Sequence, residues 1–318
     1  MPGEFELIRR FFTRATPGAL LGVGDDAALI NITPGMTLAV SVDMLVSGRH
    51  FFPKADPFLL GRKSLAVNLS DMAAMSATPR WATLALALPT ADETWLAHFS
   101  RGFFSLADQH SVELIGGDTT SGPLNICVQI LGEIPQDRAL RRDGAKVSDD
   151  IWISGELGAA ALALHHLREE VTLTPDALAR CAPRLHDPSP RVALGLALRG
   201  VSQCAIDISD GLLADLGHIL ERSNVGAELQ FSDVPCGIDL RKFLDQPLGQ
   251  QALLAGGDDY ELCFTAPVTR RNEIAQIAQR LDLPLSRIGT IVAGNKLIVR
   301  DEQGRAMNME HTGFDHFN

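Results

Sequence analysis

Gly22-Val23-Gly24-Asp25-Asp26-Ala27 has the form of the dinucleotide-binding fingerprint, and Asp43 lies near the offset where that motif places its ribose-binding acid. Accepting the match would make this half of the chain a doubly wound parallel sheet. Two features argue against it. A dinucleotide-binding turn presents bare backbone amides to a pyrophosphate, whereas here two carboxylates would face it, and Asn31 to Gly35 interrupts the helix that should follow. The stretch makes better sense if cations lie between its carboxylates and a phosphate.

The same composition recurs along the chain. Ser41-Val42-Asp43, Ser70-Asp71, Gly116-Gly117-Asp118-Thr119, Asp207-Ile208-Ser209-Asp210-Gly211 and Gly256-Gly257-Asp258-Asp259 all set aspartates among Gly and Ser, with almost no basic neighbours. Solvated surface acids usually alternate with Lys and Arg. Hard divalent cations take carboxylate oxygens, and Mg²⁺ typically uses one or two carboxylates plus substrate phosphates. The recurrence therefore points to several Mg²⁺ ions and a polyphosphate ligand. Any one cluster read alone is first a turn or a helix cap, and Ser209 or Asp210 in particular is expected to cap the helix that starts at Leu212.

With 318 residues, 46% hydrophobic and 21% charged, the chain has the composition of a soluble protein of two domains. A formal net charge of −11 opposes nonspecific nucleic-acid binding, which needs Lys and Arg to displace phosphate counterions. Met1 to Phe12 lacks the character of a signal peptide, and runs such as Trp81 to Leu88 are too short to span a bilayer, so a cytoplasmic location without membrane contact is expected. Five dispersed cysteines indicate neither a disulfide framework nor a zinc site, and the pairs His165/His166 and His311/His316 are not at ligand spacing.

Strands are expected at Thr37 to Val42, Trp81 to Leu88, Val112 to Ile115 and Leu124 to Leu131, and helices at Glu4 to Thr13, from Pro57 to about Ala77, and at Trp95 to Gln109. In the second of these helices Ser64, Asn68 and Asp71 form a polar seam, read as core hydrogen bonding or as metal and phosphate contact. Arg138 to Asp150 is basic and poor in large apolar residues; the domain boundary is placed there, giving domains 1–137 and 138–318. Beyond it, strands at Ile151 to Ser154, Cys204 to Ile208, Ala227 to Phe231 and Tyr260 to Thr265 mix with helices at Leu157 to Leu167, Arg191 to Gly200, Leu212 to Ser223 and Arg271 to Leu281. A proline-rich segment (Pro183, Pro188, Pro190) separates two of them. Without a long run of βαβ units, the fold class is α+β.

Asp43, Asp118 and the Asp207/Asp210 pair are each expected just past a strand end, where sites are commonly built. Gly61-Arg62-Lys63-Ser64 sits inside a helix and is no P-loop, and no nucleophile elbow or reactive-cysteine signature accompanies the acids. Metal-assisted phosphoryl transfer needs no nucleophile on the protein.

In order, Gly22 to Ala28, SVDMLVSGRHF (Ser41 to Phe51), KSLAVNLSDMAAM (Lys63 to Met75), LIGGDTT (Leu114 to Thr120), AIDISDGLL (Ala205 to Leu213), GGDDYELCF (Gly256 to Phe264) and GFDHF (Gly313 to Phe317) resemble the thiamine-monophosphate kinase family. That family belongs to the superfamily of aminoimidazole ribonucleotide synthetase, selenophosphate synthetase and a hydrogenase-maturation protein. The resemblance implies a two-domain fold in which each domain layers a mixed sheet with helices. It implies transfer of the γ-phosphate of ATP to thiamine phosphate, and a homodimer formed by the N-terminal domains with nucleotide near their junction. It further implies that Asp26, Ser41, Val42 (through its carbonyl), Asp43, Asp71, Asp118, Asp207 and Asp210 hold Mg²⁺, that Gly117, Asp118, Arg142 and Ser209 meet the nucleotide, and that His50, Asp258 and Phe314 recognise thiamine phosphate. Val42, Asp258 and Phe314 stand where the family often has Thr, Glu and Tyr. Within the same resemblance, another phosphotransferase of the superfamily is the nearest alternative, and a noncatalytic nucleotide- or metal-binding regulator the alternative from another class.

Overall fold

The computed structural model describes residues 3–308, Gly313 and Phe314. Its contacts divide into two compact units, Met1–Met72 with Ala77–Asp137, and Ala73–Ser76 with Arg138–Asn318. Each unit has its own sheet. No helix among the described residues is long and apolar enough to cross a membrane.

The first unit opens with α1 (Glu4–Leu7), which continues as one wider turn over Ile8–Phe12, followed by an irregular stretch carrying Asp25 and Asp26. Then come β1 (Met36–Val46), α2 (Pro57–Ala74), β2 (Thr78–Leu88), α3 (Glu93–His110), β3 (Glu113–Ser121) and β4 (Asn125–Pro135). The spatial order is β1-β4-β2-β3, antiparallel except for the parallel β2/β3 pair. Asp56 caps α2 by accepting from the amides of Phe58 and Leu59, and Pro57 follows where a missing N–H costs nothing. The helix stops at Ala74, short of the expected Ala77, because Ser76 adopts φ 59° and the Ala77 amide turns back to the Met72 carbonyl. Gly61 serves helix packing: a Cβ there would collide with the Phe99 carbonyl, and one on Gly102 with the Phe58 carbonyl. Small residues at both positions let the two long helices touch backbone to backbone.

Two strands run further than the sequence suggests, and this relocates two acids. β1 continues to Val46 and β3 to Ser121, so Asp43 and Asp118 lie within strands and not in loops beyond them. In β3 the register shifts opposite Ala82/Thr83, and Gly117 at φ 151° lets the strand continue against β2, where a Cβ would meet the Leu84 carbonyl. The Gly-Gly pair marks a bulged strand here, not its end.

The second unit contains β5 (Asp150–Ser154), α4 (Ala159–Leu167), α5 (Pro175–His186), α6 (Val192–Ala197), β6 (Cys204–Asp207), α7 (Leu212–Ser223), β7 (Gly226–Gln230), α8 (Ile238–Arg241), α9 (Pro247–Leu254), β8 (Leu262–Ala266), α10 (Arg271–Leu281), β9 (Leu285–Val292) and β10 (Leu297–Arg300). Its mixed sheet has the order β10-β7-β9-β5-β8-β6, parallel only between β10 and β7. α5 occupies part of the segment that the prolines mark as irregular. Thr174 caps it, Pro175 starts it, and Pro183 sits in its interior, while Ala177, Cys181 and Leu185 bury one stripe. Burial of that stripe outweighs the hydrogen bond that Pro183 cannot donate. Leu212, Leu216 and Ile219 of α7 join Ile151, Ile153, Ile206 and Cys263 of the sheet in the core. β6 is an edge strand, and its last residue is Asp207.

Candidate functional site

In the first unit the alternation of β1 sorts the candidates by face. Val40, Val42, Met44 and Val46 are exposed, while Ser41 and Asp43 are half-buried on the opposite side. The pairing register carries this across the sheet. Met44 pairs with Cys127, Cys127 with Ala85 and Ala85 with Asp118, so Asp118 shares the bare face with Met44; Asp43 belongs to the row of Val128, Leu84 and Gly117. Asp43 and Asp118 therefore stand on opposite faces at opposite edges of one sheet. Three strand spacings separate them, about 14 Å, so one chain cannot bring both to a single ion.

Ser41 and Asp71 do come together. The Ser41 hydroxyl donates to the Asp71 carboxylate at 2.5 Å, joining β1 to α2. The polar seam on α2 divides between its two readings. Ser64 donates to the Gly61 carbonyl and Asn68 to the Ser64 carbonyl, as core groups do, while Asp71 reaches the strand. Asn68 Oδ1 and Ser70 Oγ, on the same helix, are buried without a hydrogen-bond partner among the described residues. Asp26 is exposed on the irregular stretch, where its amide donates to the Asp25 carboxylate. His50 closes a turn after β1: its Nδ1 accepts from the Val46 amide at 3.0 Å, which puts the proton of the neutral ring on Nε2.

In the second unit three chain segments are clasped by backbone hydrogen bonds. The Ser209 carbonyl accepts from the Asp258 amide and the Ile208 carbonyl from the Tyr260 amide, both at 2.8 Å, and the Asp210 carbonyl accepts from the Phe314 amide at 3.0 Å. Ile208 in turn donates to the Glu261 carbonyl at 2.8 Å. The loop carrying Ser209 and Asp210, which follows Asp207 at the end of β6, is thus tied directly to Asp258 and Phe314. Asp315, His316 and Phe317 of the terminal motif lie outside the described residues, as does His311.

The Gly256 to Glu261 segment is held in an unusual conformation. Asp258 and Tyr260 take positive φ values of 67° and 50°, flanking Asp259, which is buried. The Asp259 carboxylate accepts the Gly158 amide at the start of α4, and Glu261 is gripped by Ser154, Arg191 and Arg184. Burial, reinforced by Glu261 and Asp258, pushes the Asp259 carboxyl well above the usual range.

The N-cap reading of Ser209 and Asp210 fails. The capping residue of α7 is Gly211 at φ 124°, and no side chain caps there; a Cβ on Gly211 would press on the Ala255 backbone. The acceptor comes from inside the helix. One carboxylate oxygen of Asp215 receives the amides of Ser209, Asp210 and Gly211 at 3.0, 3.0 and 3.1 Å. Sequence reasoning passed over Asp215, although an acid in the first turn after a Ser-Asp-Gly loop is the available signal. In the boundary segment, adjacent arginines behave differently. Arg141 forms a two-bond pair with Asp143, whereas the Arg142 guanidinium has no partner among the described residues and only its carbonyl is anchored, by Ser223 and Cys204.

The donors, carboxylates and a serine hydroxyl, are hard oxygens suited to Mg²⁺. No three His, Cys, Asp or Glu side chains among the described residues converge to cage an ion alone.

The two units have known relatives. Residues 24–134 match the profile of the AIR synthase related protein N-terminal domain, and residues 147–302 that of its C-terminal domain. The thiamine-monophosphate kinase of Escherichia coli K12 is 44% identical over 320 residues, covering 99% of this chain and 98% of that one. The crystal structure of thiamine-monophosphate kinase from Stenotrophomonas maltophilia K279a superimposes with a TM-score of 0.85 at 48% identity, covering 92% and 93% of the two chains. A structure described as AaThiL complexed with AMPPCP and TMP superimposes with a TM-score of 0.79 at 28% identity over 90% and 89%. The two mixed-sheet units are the two AIR synthase related domains, and the chain belongs to the thiamine-monophosphate kinase family.

Proposed function

We propose that this chain transfers the γ-phosphate of ATP to thiamine phosphate, giving thiamine diphosphate and ADP. The observation that carries the reading is the clasp in the second unit: Asp258 and Phe314, assigned to the acceptor, are hydrogen-bonded through their backbones to Ser209 and Asp210, assigned to nucleotide and metal. Donor and acceptor sites share one rigid support. The relative described in complex with AMPPCP and TMP supports the same pair of ligands.

Asp26, Ser41, Val42 through its carbonyl, Asp43, Asp71, Asp118, Asp207 and Asp210 would hold Mg²⁺. When bound, Mg²⁺ supplies charge neutralisation between two anionic phosphates. The unneutralised Arg142 meets the nucleotide phosphates, with Gly117 and Ser209 contacting the nucleotide. His50 meets the acceptor from the turn after β1, and the half-exposed Phe314 ring offers a face to the cationic heterocycle of thiamine. No side chain is assigned as base. A phosphate monoester has its second pKa near about 6 and is already mostly dianionic at neutral pH, so the acceptor oxygen attacks directly and in line. A homodimer through the N-terminal units is part of this reading. The exposed apolar row Val40, Val42, Met44 and Val46 on edge strand β1 supports it, because such an edge is otherwise an open pairing surface. The first unit is then the ATP, metal and dimerisation domain, and the second completes the nucleotide and acceptor site in a cytoplasmic enzyme.

The deciding experiment incubates the protein with Mg²⁺, ATP and thiamine phosphate, and in parallel with the acceptors of sibling enzymes. Thiamine diphosphate and ADP formed only in the first mixture support the proposal; ATP bound but unchanged would indicate a regulator. Inversion at a chirally labelled γ-phosphorus is expected, and retention would require two transfers. Arg142→Ala should raise the ATP KM about tenfold and leave that of thiamine phosphate nearly unchanged, the loss of a charge-assisted pair.

A further inference from the structure

Asp215 is 3% exposed in the first turn of α7, and one of its oxygens accepts three consecutive amides, those of Ser209, Asp210 and Gly211. A concavity of successive N–H groups of this kind is a ready anion site, the form in which many loops take phosphate. Here the chain fills it with its own carboxylate. The Ser209 amide is therefore spent, and contact between Ser209 and a nucleotide falls to its hydroxyl.

The arrangement is costly for a helix cap. The carboxyl is taken out of water close to two further acids, Asp207 and Asp210. An ordinary cap needs one short polar side chain preceding the helix, far from other acids. That option is closed here by the left-handed Gly211, whose missing Cβ lets the loop pack on Ala255. Gly257 and Gly313 approach the same loop closely, against the Ser209 carbonyl and the Asp210 carbonyl respectively. The segment is pressed by three neighbours and anchored at its centre by Asp215.

We infer that Asp215 is a positioning residue for phosphoryl transfer: by accepting the three amides it fixes the backbone that carries Asp207, Ser209 and Asp210 and that clasps Asp258 and Phe314. Its work is hydrogen-bond acceptance, and it contacts neither substrate. The inference rests on the function proposed above, but its physical core is testable apart from turnover.

Asp215→Asn keeps an acceptor oxygen of the same reach; Asp215→Ala removes it. In the full chain, Asp215→Ala should lose about 100-fold in kcat at saturating ATP and thiamine phosphate, the scale of a small misplacement of reacting groups, while Asp215→Asn stays within about fivefold of the parent. Amide hydrogen exchange at Ser209, Asp210 and Gly211 should be slow in the parent and in Asp215→Asn, and fast in Asp215→Ala. Calorimetry with Mg²⁺ and AMPPCP should show affinity weakened about tenfold or more only in Asp215→Ala. Equal loss in both variants when both are folded, or parental kcat and affinity in Asp215→Ala, overturns the inference. If Asp215→Ala does not fold, Asp215→Asn decides: unprotected amides or lost analogue affinity in that folded variant overturns it, and their retention supports it. A parent that makes no thiamine diphosphate defeats the function proposal alone, because exchange and analogue affinity still judge Asp215.

Discussion

Gly-Gly-Asp occurs at Gly116-Gly117-Asp118 and again at Gly256-Gly257-Asp258, and the two copies are built in opposite ways. In the first unit the tripeptide lies within a strand, where Gly117 at φ 151° accommodates a bulge against Leu84 and Asp118 is exposed on the bare sheet face. In the second unit it forms an irregular segment. Gly257 packs on the Ser209 carbonyl, Asp258 is left-handed, and the following Asp259 is buried on the Gly158 amide. The comparison teaches that glycine pairs mark where backbone must approach backbone, whereas the fate of the neighbouring acid is set by what covers it.

The largest effect should separate the acids. Asp118→Asn is expected to lower kcat by about 100-fold or more while leaving the melting temperature nearly unchanged, since the residue is exposed. Full activity in that variant, measured with thiamine phosphate and ATP, would make Asp118 an ordinary surface charge. Gly117→Ala tests the scaffold beside it. Positive φ and the collision with Leu84 should cost about 3 kcal/mol in denaturant unfolding, and a neutral result would mean the bulge relaxes freely. For the second copy, Asp258→Ala should raise the thiamine phosphate KM about tenfold and leave the ATP KM within about twofold, the mirror image of Arg142→Ala. A matching rise for both substrates would remove Asp258 from the acceptor side.

The smallest effect concerns pH. Asp259 has its folded pKa raised, so the folded chain holds a proton that the unfolded chain releases above about 3.9. Its contribution to stability is complete below that value and is lost as pH rises toward the folded pKa. Asp259→Asn, which keeps an oxygen for Gly158, should flatten that decline in melting temperature between pH 5 and pH 8, with little change in kcat. An unchanged slope would show that Asp259 is ionised in the fold.

Much of the architecture was legible because local signals agreed with burial. Leu212–Ser223 and Arg271–Leu281 form helices over the expected residues, and Asp56-Pro57 starts α2 as its capping chemistry requires. α5 was hidden by Pro183, whose local penalty is repaid by a buried stripe on other elements. The ends of β1 and β3 were hidden for a related reason, since sheet pairing extends a strand through residues that read locally as a turn.

From the chain alone came the recurrent acid clusters, the rejection of a dinucleotide turn, the α+β class and the family resemblance, all of which depend on residue identity and spacing. Only the folded structure decided which acids meet. Asp71 joins Ser41, Asp43 and Asp118 part to opposite faces, and Asp215 supplies the anchor that the Ser209-Asp210-Gly211 loop lacks in its own residues. Strand register and helix packing set those distances, and both are properties of partners remote in sequence.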